Sequence, residues 1–595
     1  ENMSLNANQF DNTISVQRFG SLFDDPVLTI DAEDGDDELI LGEGLGRTSF
    51  IYDEVRFQGG EGADRILVDD SANGSSQTYT LTASELDLGG VLGRLRHWQT
   101  EEIVIDSGPG NDTFLVDSSR EGIEMMLNGE AGSDRFVIAA PTGNIGDTRA
   151  SVLIDGGVST NGNLETDEVE IHDASYDGNG NYSILRSSAG TATLSRIDNS
   201  PIRVSSVERT SLFAGKGDNV INVDGFIPTV ELVVDAGNGT DTIKVTPTIV
   251  SPGTSVGQIL VSGGLDSNND SLNILDEAAQ NVGPYLITDE SVERSDAMPV
   301  AYVDIEQLRL SVDRGANMVT VASTSADTAV SIETGAGDDE VQIDSFSSTV
   351  RVNAGSNGSS GDQLSLLGSN QTDAFHLVGE SNTLGGSQVL TDGVEQRIID
   401  GLEGDDRLFV RGVGQVDEAF HLRPIEGQLN TAELTTGVFS DVVLVDVAKV
   451  RVAGNSVDND TLVFSGSSDD DHFDINLSAN GTAADPFLVY SRPLGDSLTL
   501  MGYFRVVTPE IRGLAGNDQF DVHINDAGPA GGRSIRIDGG SSIPGRVSGD
   551  RLNLFYPSSG SLNHVPDDED TGTIEVAFST RQFEIDYDNI DDLTL

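Results

Sequence analysis

The pattern Asp-x-Gly-x-Gly-x-Asp-x-φ-x-φ, with φ apolar, returns along the chain and constrains the fold more than any other feature. One copy runs Asp235-Ala236-Gly237-Asn238-Gly239-Thr240-Asp241-Thr242-Ile243-Lys244-Val245, and another runs Glu333-Thr334-Gly335-Ala336-Gly337-Asp338-Asp339-Glu340-Val341-Gln342-Ile343. Each copy is a tight acidic turn followed by a short alternating strand. Glycine adopts positive φ without steric cost, and alternation sends every second side chain to one face. A chain made of such pieces is a repeat protein that buries its apolar faces by stacking one piece on the next.

The last Asp or Asn of each turn serves as a marker. Clear copies mark Asp37, Asp64, Asp112, Asp134, Asp241, Asp339, Asp406 and Asp518; interrupted copies mark Asn12, Asp167, Asn219, Asp270, Asn317, Asp362, Asp460 and Asp550. Most fall into triplets, such as 112, 134, 167 and 219, 241, 270. Triplet starts recur roughly every 100 residues. This predicts units at 1–68, 69–171, 172–274, 275–366, 367–464 and 465–554, with 555–595 opening a further one. The segment 411–460 departs most from the repeat. The last strand, Tyr587 to Leu595, reads as the entry to another unit, so the expectation is a piece of a longer polymer.

Between triplets lie about 40 residues of a different kind. They open with an apolar strand and an acidic turn, as in Val169-Glu170-Ile171-His172-Asp173. An aromatic strand follows, as in Asn181-Tyr182-Ser183-Ile184, and a Val/Ile-Glu entry strand closes the segment, as at Val207-Glu208 and Ile305-Glu306. Strands are short and rich in Val, Ile, Leu and Phe, and no stretch has a helical period with caps. The expected class is all-β: parallel β-solenoid coils with one turn motif per coil at the same corner, and antiparallel hairpin insertions. Tandem β-sandwich domains also suit the unit length.

Composition narrows the function. Asp and Glu number 99 against 33 Lys and Arg, a formal net charge of −66, with Lys216, Lys244 and Lys449 the only lysines. Such a charge disfavours nucleic acid and anionic membranes as partners, and suits either a salty environment or a cation-binding array. There is no cysteine, which excludes disulfide staples and cysteine-based sites. No apolar run approaches the ~20 residues of a membrane span, so no membrane insertion is expected. Glu1-Asn2-Met3-Ser4 carries no signal peptide.

The turns point to calcium, a hard cation that takes six to eight oxygens. The curled backbone offers carbonyls, and the markers Asp37, Asp64, Asp112, Asp134, Asp241, Asp339, Asp406 and Asp518 offer carboxylates. The preceding residues Asp36, Asn111, Asp338, Asp405 and Asn517 can add a second oxygen. Stacked half-sites would share an ion and lock the register. The copies at Asn219 and Asn317 are expected to keep the turn without the ion. A plain β-corner made from Gly, Asn and Asp explains the same residues without metal.

The segment Gly59-Gly60-Glu61-Gly62-Ala63-Asp64 resembles the calcium-binding nonapeptides of repeats-in-toxin proteins; Gly108-Pro109-Gly110-Asn111-Asp112 and Gly401-Leu402-Glu403-Gly404-Asp405-Asp406 are similar. That family repeats every nine residues, whereas copies here stand 21 or more apart. The whole chain is similar to giant β-strand-repeat surface proteins of bacteria. The resemblance implies export to the cell surface, Ca²⁺ as cofactor and a scaffold or adhesion role.

No catalytic constellation emerges. The seven histidines form no close pair, no Gly-x-Ser-x-Gly elbow or phosphate-binding loop occurs, and Asp469-Asp470-Asp471-His472 reads as an exposed acidic turn. Trp98 and the other aromatics read as core. The expected function is a calcium-stabilised extracellular rod, filament or surface-layer element, self-associating or linked within a longer chain. The alternatives are an adhesin stalk or, at 411–460, a β-helix polysaccharide-degrading enzyme.

Overall fold

In a computed structural model the chain is an all-β solenoid. The structure describes residues 2–20, 26–89, 93–158, 165–188, 190–247, 256–265, 269–278, 283–413, 417–437, 439–447, 449–454, 459–480, 486–491, 497–504, 506, 508–526, 533–542, 549–568 and 570–595. Two compact units form: 1–276 with 290–311, and 277–289 with 312–595.

In the first unit each coil lays one strand on each of two sheets. Sheet one holds Met3–Asn6, Val27–Asp31 and Glu54–Gln58; sheet two holds Thr13–Val16, Glu38–Leu41 and Arg65–Asp69, all paired in parallel. Thr113 stacks on Arg135 and Val220 on Thr242, a rise of one coil in 22 residues. The parallel pairing of successive coils is a solenoid arrangement and excludes tandem sandwiches. Polar and apolar residues alternate because each strand has one face inward: Phe57, Ile66, Phe114 and Phe136 are fully buried. Identical positions stack, so Tyr79, Phe114 and Phe136 form a column with ring centroids 5.1 and 4.7 Å apart.

The expected hairpins are three-stranded meanders woven into the sheets. Thr78–Leu81, Glu85–Asp87 and Arg94–Trp98 are antiparallel neighbours in sheet one. The third strand stacks on the earlier coil at Glu54–Gln58, and the first receives the later coil at Thr113–Val116. The next meander, Asn181–Ser188, Thr191–Arg196 and Ile202–Ser205, lies in sheet two.

The second unit repeats the device. Ala374–Val378, Ser381–Leu384 and Ser387–Asp392 lie in the sheet of Ala329–Glu333. Ala419–Pro424, Thr431–Thr435 and Asp441–Val445 lie in the opposite sheet. His472–Asn476, Leu488–Ser491 and Ser497–Phe504 return to the first, and Ser561–Pro566, Gly572–Ala577 and Gln582–Asp588 lie again in the second. A meander adds two strand spacings of about 4.8 Å to one sheet only. Alternating the side offsets the difference within each unit.

The meander also corrects the expectation of a single corner. The turns ending at Asp37 and Asp64 carry the chain from sheet one to sheet two; after the first meander, those ending at Asp112, Asp134 and Asp167 carry it from sheet two to sheet one. After the second meander, Asn219, Asp241 and Asp270 resume the first sense. Each triplet keeps one corner, and successive triplets in the first unit occupy opposite corners. Trp98 also departs from expectation: it is 40% exposed, whereas its neighbour His97 is buried.

Candidate functional site: carboxylate ladders at the corners

The marker residues form an inner ladder. At a corner the sheet hydrogen bonds stop, leaving main-chain N–H groups that need a partner once buried. The marker carboxylate reaches back one coil and supplies it. Asn12 N–H donates to Asp37 Oδ1 at 2.8 Å, and Asp37 N–H donates to Asp64 Oδ1 at 2.9 Å. At the opposite corner Gln77, Asp112 and Asp134 N–H donate to Asp112, Asp134 and Asp167 Oδ1, each at 2.7 Å. Asn219 and Asp241 continue the pattern to Asp241 and Asp270 at 2.6 Å. In the second unit Asn317 and Asp339 donate to Asp339 and Asp362, Asp373 to Asp406, Asp471 to Asp518, and Asp518 to Asp550, all at 2.7 or 2.8 Å. Asp471, expected on an exposed turn, is therefore a buried member of the row.

An outer ladder, one residue earlier, points the other way. Asp36 Oδ1 accepts from Ala63 N–H at 2.8 Å on the following coil, Asn111 Oδ1 from Ser133 N–H at 3.0 Å, and Asp338 Oδ1 from Gly361 N–H at 2.8 Å. Asn517 instead donates to Asp470. Asp405 is held by Lys449 and Arg407, whose charges keep its carboxyl below the usual range.

Each long inner row ends on a residue not counted among the candidates. Asp64 N–H donates to Glu101 Oε2 at 2.8 Å, Asp167 to Glu208 at 2.7 Å, Asp270 to Glu306 at 2.7 Å and Asp362 to Glu395 at 2.8 Å; Asp591 serves Asp550 at 3.1 Å. The clasp is reciprocal, since Glu101, Glu208, Glu306 and Glu395 N–H donate to the carbonyls of the same aspartates. The local geometry repeats. A residue at positive φ (Gln99, Ser206, Asp304, Gly393) precedes a buried Thr100, Val207, Ile305 or Val394, and the glutamate follows. Glu208→Ala leaves the Asp167 N–H unpaired and is expected to lower stability by about 1–3 kcal/mol, with Glu208→Gln recovering most of the loss. Denaturant midpoints of the two variants check this.

The glycine five residues before a marker has a steric reason. A Cβ on Gly59 would lie 2.4 Å from Asp64 Oδ2, on Gly129 2.5 Å from Asp134 Oδ2, and on Gly513 2.2 Å from Asp518 Oδ2. Burial raises several of the inner carboxyls, and like charges along the row add to it. Asp134 and Asp518 are pushed up to about 8, Asp167 to about 7, and Asp64 and Asp550 to about 6.

The donor set does not fit calcium. Inner Oδ1 atoms are taken by N–H groups, and the Oδ1 atoms of Asp36, Asn111 and Asp338 serve the outer row. Asp405 is paired with cations. Among the described residues no three or more His, Asp or Glu side chains converge as a metal group, against the six to eight oxygens calcium takes.

A cavity of about 270 Å³ opens in the divergent segment between Leu402, Pro424, Asn430, Asp446, Tyr490 and Ser497. Among the described residues Asp446 is its only carboxylate; it accepts from Asn430 Nδ2 at 2.9 Å, while the Tyr490 hydroxyl donates to Asp471. Among the described residues the lining contains no second acid or base to pair with Asp446.

No family model matches this chain, and no curated protein matches it.

Proposed function

We propose that the chain is an extracellular structural element, a rod, filament or surface-layer component of a bacterial cell surface, built by stacking coils and joined to further copies or to more of the same chain. One observation carries the reading: successive coils are tied through both sheets and again through side-chain ladders at the corners. Such redundancy serves cohesion along a stack. Cations enter as counterions to a charge of −66, screening the outer acids without a dedicated site.

Small-angle scattering and electron microscopy test the shape. A rod of roughly 150 Å is expected from coils stacked at ~4.8 Å, and a compact particle overturns the proposal. Thermal unfolding in calcium, in magnesium at equal ionic strength and in chelator tests the ion. Calcium and magnesium are expected to raise the unfolding temperature equally; a saturable rise with calcium alone would restore a specific site.

A further inference from the structure

The three asparagines of the inner row show what its distal atom must do. Asn219 accepts from Gly180 N–H through Oδ1, while its Nδ2 donates to the carbonyls of Gly215 and Ala236, both at 2.9 Å. Asn317 Nδ2 donates to the carbonyls of Asp313, Gly315 and Thr334 at 3.1, 2.8 and 3.3 Å. Asn12 Nδ2 donates to the Asn8 carbonyl at 3.0 Å. In all three the far Nδ2 donates to main-chain oxygen, and in Asn219 the near Oδ1 also accepts a main-chain N–H from the preceding coil.

The aspartates of the row put an oxygen in the place of that donor. Oδ2 of Asp64, Asp134, Asp362, Asp406, Asp518 and Asp550 is buried and has no hydrogen-bond partner among the described residues. These residues are at most 1% exposed. Apart from Asp362, each of these Oδ2 atoms borders, together with a main-chain carbonyl oxygen, the space where a glycine lacks its Cβ. Asp134 Oδ2 and Gly156 O lie 2.5 and 2.7 Å from the Cβ position of Gly129; Asp518 Oδ2 and Gly539 O lie 2.2 and 2.6 Å from that of Gly513. Asp64 Oδ2 and Gln99 O share the gap at Gly59 in the same way. Two lone-pair oxygens in a buried gap repel unless one carries a hydrogen.

We propose that the inner-row aspartates, Asp134 and Asp518 foremost, work as neutral carboxylic acids whose Oδ2–H donates to a main-chain carbonyl, as the Asn219 and Asn317 amides do. The motif that looks like a calcium turn is then a proton-held clasp between coils. The charged and titratable groups facing Asp134 are Asp112 from the preceding coil, Tyr79 from the coil before that, and Asp167 and Glu165 from the following one. Those facing Asp518 are Asp470, Asp471 and Asp550. All of the carboxyls among them oppose ionisation. Among the described residues no Lys, Arg or His is ion-paired with Asp134 or Asp518.

A carboxyl whose folded pKa lies above its unfolded value favours the folded state most at low pH. The benefit is full below about 4 and is lost as pH rises through about 8 at Asp134 and Asp518. The full chain in chelator is therefore expected to unfold at progressively lower temperature from pH 5 to pH 9. Asp134→Asn with Asp518→Asn keeps the acceptor and supplies a permanent donor. At pH 9 it should unfold about 2–4 °C above the parent, and its pH dependence should be flatter. A pH-independent parent, or an Asn variant less stable than the parent at pH 9, overturns the proposal. Infrared spectra of the parent at pH 7 give a reading that needs no variant: a protonated-carboxyl carbonyl band that disappears by pH 10 is expected, and its absence at pH 7 overturns the proposal equally.

Discussion

Gly60→Ala is expected to separate the first coils of the chain, with loss of amide-exchange protection across Val27–Asp31 and Glu54–Gln58. Gly60 sits at φ +119, and a Cβ there would lie 1.4 Å from the Glu33 carbonyl oxygen and 2.6 Å from its carbon. Both obstacles are backbone, and the backbone is fastened on either side. Ala32 N–H donates to Gln58 O and Gly35 N–H to Glu61 O, each at 2.9 Å. Neither coil can yield without breaking the hydrogen bonds that define the stack. The cost belongs with the exceptional substitutions, above about 4 kcal/mol. Gly122→Ala is the control. It has φ +86 with no atom within 4 Å of the new Cβ, so only the left-handed conformation is penalised, by about 1–2 kcal/mol. Similar unfolding temperatures for the two variants would show that coil spacing is not set by this approach.

Arg196→Leu should have the next largest effect. Its guanidinium, at the end of the middle meander strand, is buried with the Asp173 carboxylate at 2.6 Å and stacks 3.9 Å from the Tyr176 ring. Asp173 also accepts from the Tyr182 hydroxyl at 2.6 Å and from Ile145 N–H at 3.0 Å. Burial raises the Asp173 carboxyl even with this partner present. Removing the cation strands a buried charge, which costs about 3–5 kcal/mol. Protonation relieves a stranded carboxylate, so the penalty should be larger at pH 8 than at pH 5. Adding Asp173→Asn should recover part of it. Urea unfolding at both pH values checks the size and its pH dependence, and an equal loss at both would place the cost in packing.

Much of this architecture was legible before any coordinates. The alternation in Thr113 to Val116 and Arg135 to Ile138 marks strands, and the Gly-Asp turns mark corners. The recurrence near 22 residues counts coils, because these are local properties of a repeating chain. The same pattern locates the aspartate markers, but the N–H groups they accept from belong to another coil. A carboxylate on a curled turn looks like an ion ligand until the preceding coil presents an N–H to it. Glu101, Glu208, Glu306 and Glu395 were visible only as strand openings. Their role needs the aspartate above them, which lies 33 to 41 residues away.

The sequence by itself determined the strand periodicity, the turn chemistry, the acidity and the stacked-coil class, since each follows from side-chain size, charge and backbone freedom within a few residues. Only the tertiary structure decided that the insertions are meanders within the sheets, and that the two carboxyl rows point in opposite directions. Only it placed successive triplets of the first unit at opposite corners. Those features depend on which coil lies against which, and a residue's hydrogen-bond partner one coil away is fixed by stacking.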